Sequence, residues 1–161
     1  MSIAVFPGSF DPVTMGHYDL ICRAAGIFDK LVLGVLVNSS KNPLFSLEER
    51  VSMLRELTKT QPNITVCSFD GLLVDFVEQQ KADVIVRGLR SAGDFEYELP
   101  LAQANHRLNE HADTVFLATS PEYSYISSSA VRELLRYHAD IEEYVPETVL
   151  YYMRECGMIS K

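Results

Sequence analysis

Basic residues are scarce in this chain. It has 14 Lys and Arg against 22 Asp and Glu, a formal net charge of −8. Proteins that grip a nucleic-acid backbone draw most of their affinity from cations on phosphates, so no nucleic-acid partner is expected. A small anionic substrate, which needs only a few well-placed cations, stays open. Cysteine is sparse too. Cys22, Cys67 and Cys156 are odd in number, far apart and form no CxxC pair. That argues against a disulfide framework or a zinc site and for reduced thiols, as in the cytoplasm. His106, His111 and His138 show no ligand spacing such as HExxH, so no metal site is expected. No apolar run reaches the roughly 18 residues of a membrane span, and no membrane partner is expected. The segment Met1–Phe6 enters an apolar run without a basic leader, unlike a signal peptide. Neither GxGxxG nor GxxxxGK[ST] occurs, so a Rossmann dinucleotide fingerprint and a Walker A loop are both poor fits.

What is present is an alternation. The 161 residues are 47% hydrophobic, enough for one domain over residues 1–161 with a full core. Short β-rich runs cover Ile3–Phe6, Leu31–Asn38, Ile64–Phe69, Val84–Val86 and Thr114–Thr119. Several are nearly continuous in Val, Ile and Leu, as in strands buried on both faces. Helical patterns lie between and after them: Tyr18–Phe28, Ser46–Thr60, Leu72–Gln80, Tyr97–Asn109, Ala130–Tyr137 and Pro146–Cys156. Ser46 and Glu49 have the spacing of a capping box. Strand and helix in turn predict an α/β fold, a single-domain doubly wound parallel sheet of about five strands. Ser9, Asn38 to Lys41, Asp70, Arg87 and Ser120 each follow a predicted strand. In such a sheet those carboxyl ends share one edge, where ligands bind.

Four segments along that edge could hold an anion. In Phe6–His17, Gly8 permits a tight turn, Thr14 can cap the next helix, and Gly16 leaves space beside its first turn. Helix-start N–H groups and the dipole favour an anion there, with His17 aimed at it. An ordinary β–α turn with an unremarkable histidine is the bland alternative. In Ile126–Arg132, Ser127, Ser128 and Ser129 supply an N-cap with hydroxyls to spare, or merely a serine-rich cap. In Val84–Arg90, Arg87 and Arg90 leave a buried strand, Gly88 allows a sharp path, and guanidinium forks match phosphate oxygens. The alternative is pairing with Asp94, Glu96 or Glu98. Lys41, on a Ser/Asn/Pro loop after the second strand, is a further phosphate candidate or a solvated charge.

These segments, in this order, resemble the phosphopantetheine adenylyltransferases of the nucleotidyltransferase superfamily. The likeness rests on residues 6–12, the TxGH at 14–17, Leu47–Arg50, Arg87–Arg90, Asp94–Glu98 and Ile126–Ser129. TxGH and the serine run belong to the wider superfamily; RGLR followed by DFEYE is far more specific. The resemblance implies a Rossmann-like nucleotidyltransferase fold. It also implies transfer of the adenylyl group of ATP to 4′-phosphopantetheine, with Mg2+ accompanying ATP. His17 would be catalytic, contacting the α-phosphate. Ser9, Phe10, Gly88, Leu89, Arg90, Glu98, Tyr123, Ser124, Tyr125, Ile126, Ser127, Ser128 and Ser129 would join it in binding ATP. Ser9, Lys41, Leu73 and Arg87 would bind phosphopantetheine. A cytoplasmic homohexamer with coenzyme A as feedback ligand is implied as well. Ser9, Met15, Pro100 and Ala104 depart from the family's usual Thr, Asn, Gln and Met, and Pro100 is expected to shift the start of its helix.

Overall fold

A computed structural model describes residues 1–37 and 42–160. Its five strands form one parallel sheet in the order β3-β2-β1-β4-β5. These are β1 (Ile3–Gly8), β2 (Lys30–Leu36), β3 (Ile64–Phe69), β4 (Val84–Leu89) and β5 (Asp113–Ala118). Four helices make the crossovers: α1 (Met15–Ile27), α2 (Leu47–Thr58), α3 (Leu73–Gln79) and α4 (Ala92–Leu108). After β5 come a 3-10 turn (Pro121–Tyr123), α5 (Ser128–Arg136) and α6 (Glu147–Glu155).

The apolar strands feed two cores because their side chains alternate between faces. Ala4 and Phe6 of β1, Leu31, Leu33 and Val35 of β2 and Val86 of β4 join one cluster with residues of α1, α2, α5 and α6. Val5, Val32 and Ile85 point the other way, into a smaller cluster with Val74, Phe76 and Val77 of α3. The chain winds from β1 out to β3, then returns past β1 to add β4 and β5. The winding therefore reverses between β1 and β4, and the carboxyl ends of those two strands flank the switch point where such sheets bind ligands.

Several boundaries differ from the sequence reading, among them the end of β1 at Gly8 and the start of α1 at Met15, and three bear most on the site. The second strand spans Lys30–Leu36, and Asn38, given as its end, lies outside the described residues. The fourth strand does not stop at Val86; it pairs with β5 as far as Leu89 opposite Ala118. Gly88 is thus an in-strand glycine, not a sharp bend, and a Cβ there would lie 2.3 Å from Leu20 Cδ1 of α1. Helix α4 starts at Ala92, not Tyr97, because the Ser91 hydroxyl accepts the Asp94 N–H as an N-cap. Pro100 sits inside that helix rather than moving its start. The capping box at Ser46 and Glu49 forms as the spacing predicts.

Candidate active site

Two clefts open where β1 and β4 end. The first, about 340 Å3, is lined from β1 and its loop by Gly8, Ser9 and Phe10, from α1 by His17 and Leu20, and from β4 and the residue after it by Arg87, Gly88 and Arg90. Phe6, Pro7, Thr14, Gly16, Asp94, Glu98, Thr119, Ile126, Ser127, Ser128, Ser129 and Arg132 complete it. The second, about 480 Å3, is lined by Leu36, Phe69, Leu73, Tyr97, Leu101 and Asn105, among others. Pro7, Gly8, Ser9, Arg87 and Glu98 line both, so the clefts meet at Ser9 and Arg87.

The turn after β1 is shaped by packing. A Cβ on Gly8 would stand 3.0 Å from the Phe10 ring, so glycine is what lets that ring lie against the strand end. Phe10 is 1% exposed and has a left-handed φ of 50°. Its ring meets the His17 ring edge-on at 5.2 Å. Thr14 caps α1: its hydroxyl accepts the His17 N–H at 3.3 Å, and its own N–H donates to His17 Nδ1 at 3.2 Å. This reciprocal box gives His17 an unprotonated Nδ1 and leaves Nε2–H as the ring donor. Burial, then the nearby Arg90 and Arg87 charges, draw the His17 pKa down from 6.5 to about 4. The imidazole is therefore neutral, which removes the conflict between a cation and the helix dipole.

Both arginines are held by carboxylates of α4. Arg87 donates from Nη2 to Glu98 Oε1 at 2.6 Å and from Nε to Glu98 Oε2 at 2.9 Å, with Nη1 on Pro7 O at 3.1 Å. Arg90 donates from Nε and Nη2 to Asp94 at 3.0 and 3.1 Å. Pairing and facing the cleft are thus not alternatives here; Asp94 and Glu98, four residues apart on one helix face, aim the two guanidiniums. The serine run is less free than its composition suggests. Ser127 accepts the Ala130 N–H, Ser128 donates to Pro12 O, and Ser129 accepts from Arg132. Only the Ser128 O–H is spent; the Ser127 and Ser129 O–H groups and the first-turn N–H groups of α5 are the donors left for an anion.

Of the residues singled out in the sequence, Ser9, Phe10, His17, Arg87, Gly88, Arg90, Glu98, Ile126 and Ser127–Ser129 converge on the first cleft. Leu73 lies in the second. Leu89, Tyr123, Ser124 and Tyr125 do not line the first cleft. Leu89 instead accepts the Thr119 N–H, Tyr123 packs beside Gly16, and Tyr125 is exposed against Tyr144. Lys41 lies outside the described residues. The sequence reading missed Leu20 and Thr119, and it gave Asp94 and Arg132 no ligand role. Thr119 Oγ1 is buried without a partner among the described residues, which only the packing reveals.

The sequence profile of the cytidylyltransferase-like family matches residues 5–134. A phosphopantetheine adenylyltransferase of Lachnoclostridium phytofermentans is 55% identical over 93% of this chain and 92% of its own. Its counterpart in Caldanaerobacter subterraneus subsp. tengcongensis is 48% identical over 96% of this chain and 97% of its own. One from Clostridium perfringens is 48% identical over 96% and 94%. A crystal structure described as a nicotinate-nucleotide adenylyltransferase, from Vibrio parahaemolyticus, superposes with a TM-score of 0.74 over 98% of this chain and 95% of its own. At 20% identity it shows the shared fold alone.

Proposed function

The chain belongs to the cytidylyltransferase-like family, among the phosphopantetheine adenylyltransferases, and from this membership we infer its reaction. It transfers the adenylyl group of ATP to 4′-phosphopantetheine, giving dephospho-coenzyme A and pyrophosphate in coenzyme A biosynthesis. The meeting of two clefts at Ser9 and Arg87 is the observation that supports this reading best. One cleft suits a nucleotide triphosphate, with two helix starts and three arginines. The other, more apolar, suits a pantetheine arm beside Leu73. An acceptor phosphate at the junction would face the α-phosphorus.

In this reading an oxygen of the acceptor phosphate, already ionised, attacks the α-phosphorus in line. The bond from that phosphorus to the oxygen bridging to the β-phosphate breaks, and pyrophosphate leaves. No general base is needed, so the protein's work is alignment and charge stabilisation. His17 Nε2–H donates to an α-phosphate oxygen as charge grows there. Arg87 and Lys41 hold the acceptor phosphate. Arg90 and the α5 start hold the β- and γ-phosphates. Leu89, Glu98 and the Tyr123–Ile126 segment border the nucleoside; for Leu89, Tyr123, Ser124 and Tyr125 this requires ATP to extend past the first cleft's edge. Mg2+ arrives on the triphosphate. Among the described residues no three His, Cys, Asp or Glu side chains gather as a metal cage, and no step is assigned to the ion.

A homohexamer with coenzyme A as feedback ligand belongs to the same reading, as does a cytoplasmic location. Support for self-association comes from α4, which has no buried residue and exposes Phe95, Tyr97, Leu101 and Leu108. No described helix is long and apolar enough to cross a membrane. Pyrophosphate release with ATP and a panel of acceptors tests the assignment. Phosphopantetheine should support turnover, and nicotinamide mononucleotide and glycerol phosphate should not. No release with phosphopantetheine would overturn it.

A further inference from the structure

The largest fully buried side chain is a charged one, Arg50 of α2, at 1% exposure. Among the described residues it forms no ion pair with a carboxylate. Its donors go to four main-chain carbonyls instead. Nη1 donates to Ser9 O at 2.8 Å and Leu36 O at 2.9 Å, Nη2 to Val37 O at 3.3 Å, and Nε to Phe45 O at 3.2 Å. These belong to three separate segments: the turn after β1, the end of β2, and the approach to α2. Asp11 ties two of them again from the other side, accepting the Leu44 and Phe45 N–H groups at 2.9 and 2.8 Å. Asp11 favours the Arg50 charge while burial opposes it. Burying a guanidinium is costly unless its donors are met, and a core needs no such group for packing alone.

The bond to Ser9 O bears on the chemistry. In a trans peptide the carbonyl and the following N–H point in opposite directions. With Ser9 O held toward Arg50, the Phe10 N–H is turned the other way, and no described residue accepts it. Phe10 lines the first cleft and Ser9 lines both. The left-handed Phe10 backbone keeps the turn in this orientation.

We propose that Arg50 is a positioning residue for adenylyl transfer: by gripping Ser9 O together with the end of β2, it presents the Phe10 N–H and the Ser9 hydroxyl to the phosphates where the clefts meet. This rests on the adenylyl-transfer reading above. Arg50 lines neither cleft. Its effect falls on alignment, so it belongs in kcat more than in KM, since the arginine contacts to both substrates persist without it.

The test compares Arg50→Lys with Met153→Ala, a core truncation in α6 away from both clefts. Lysine keeps the charge but cannot span four carbonyls. In Arg50→Lys, kcat should fall at least tenfold while both KM values stay within threefold. Met153→Ala should lose at least as much thermal midpoint and keep kcat within twofold. Retention of kcat in Arg50→Lys, or an equal loss in Met153→Ala, overturns the proposal. If wild type itself releases no pyrophosphate, the functional reading fails instead, which separates the two. Should Arg50→Lys not fold, the wild-type protein decides: on titration with α,β-methylene-ATP, the 15N-labelled Phe10 amide should shift and the Arg50 Nε–H should not. An unmoved Phe10 amide would overturn the proposal.

Discussion

The Thr14 N–H donates to His17 Nδ1, and this single 3.2 Å bond decides which imidazole nitrogen can serve the cleft. Neutral histidine has one donor and one acceptor nitrogen. With Nδ1 accepting, Nε2 carries the proton. A preset donor acts mainly as charge develops on the transferring group. His17→Ala is therefore expected to lower kcat by about 100-fold or more, with ATP affinity nearly unchanged. Single-turnover rates with calorimetric ATP binding check this. Near-normal turnover would remove His17 from the chemistry.

The same histidine should make stability pH-dependent. Its folded pKa is about 4, against 6.5 for the ordinary group. Between these values the unfolded chain binds more protons than the folded one. The stability contributed by neutral His17 is then complete above 6.5 and is lost as pH falls toward 4. Urea midpoints for wild type should drop on moving from pH 7 to 4.5. His17→Gln, whose amide oxygen can still accept the Thr14 N–H, should drop less. Parallel curves for the two proteins would show that His17 does not titrate in this window.

Much of this was legible in the sequence. Strand and helix alternation depends on local periodicity, and the parallel sheet followed from it. The placement of His17, Arg87 and Arg90 at one sheet edge followed from the rule that strand carboxyl ends align. What escaped was set by contacts between distant segments. The end of β4 is fixed by pairing with β5, and its in-strand Gly88 by Leu20 of α1. The engagement of the Ser128 hydroxyl depends on Pro12, which is distant in sequence. Arg50 read as part of a family-like run. Only the fold shows that it is buried among three segments.

Arg87 offers a test of how the substrates divide. Charged hydrogen bonds contribute about 1.5–3 kcal/mol, or roughly 10- to 150-fold in affinity. Arg87→Ala should raise the KM for phosphopantetheine by about tenfold or more. It also strands Glu98, whose side chain is only 12% exposed, beside both clefts. That loose negative charge would weaken ATP binding indirectly. In Arg87→Ala with Glu98→Gln the ATP effect should vanish and the phosphopantetheine defect remain. Initial rates and calorimetry on both variants report the split; a defect in ATP binding that survives in the double variant would contradict the division.

Tyr152 should act on stability alone. Its hydroxyl donates to Glu49 Oε1 at 2.5 Å, tying α6 to the α2 N-terminus. Glu49 also accepts the Ser46 N–H in the capping box. The Tyr152 bond is the largest cause holding the Glu49 carboxyl below its usual range, and the tyrosine is pushed up in return. Neither residue lines the first or second cleft. The pair is partly exposed, so solvent screening brings the hydrogen bond below a buried charged one, to about 1 kcal/mol. For a domain of this size that is roughly 2–4 °C in thermal midpoint. Tyr152→Phe should therefore lower the midpoint by that amount at pH 7 with kcat unchanged. The deficit should shrink in acid, because a carboxylate with a depressed pKa loses its contribution as pH falls through that pKa. A variant with full midpoint but reduced kcat would mean that α6 influences the phosphate loops through α2, and would contradict a role in stability alone.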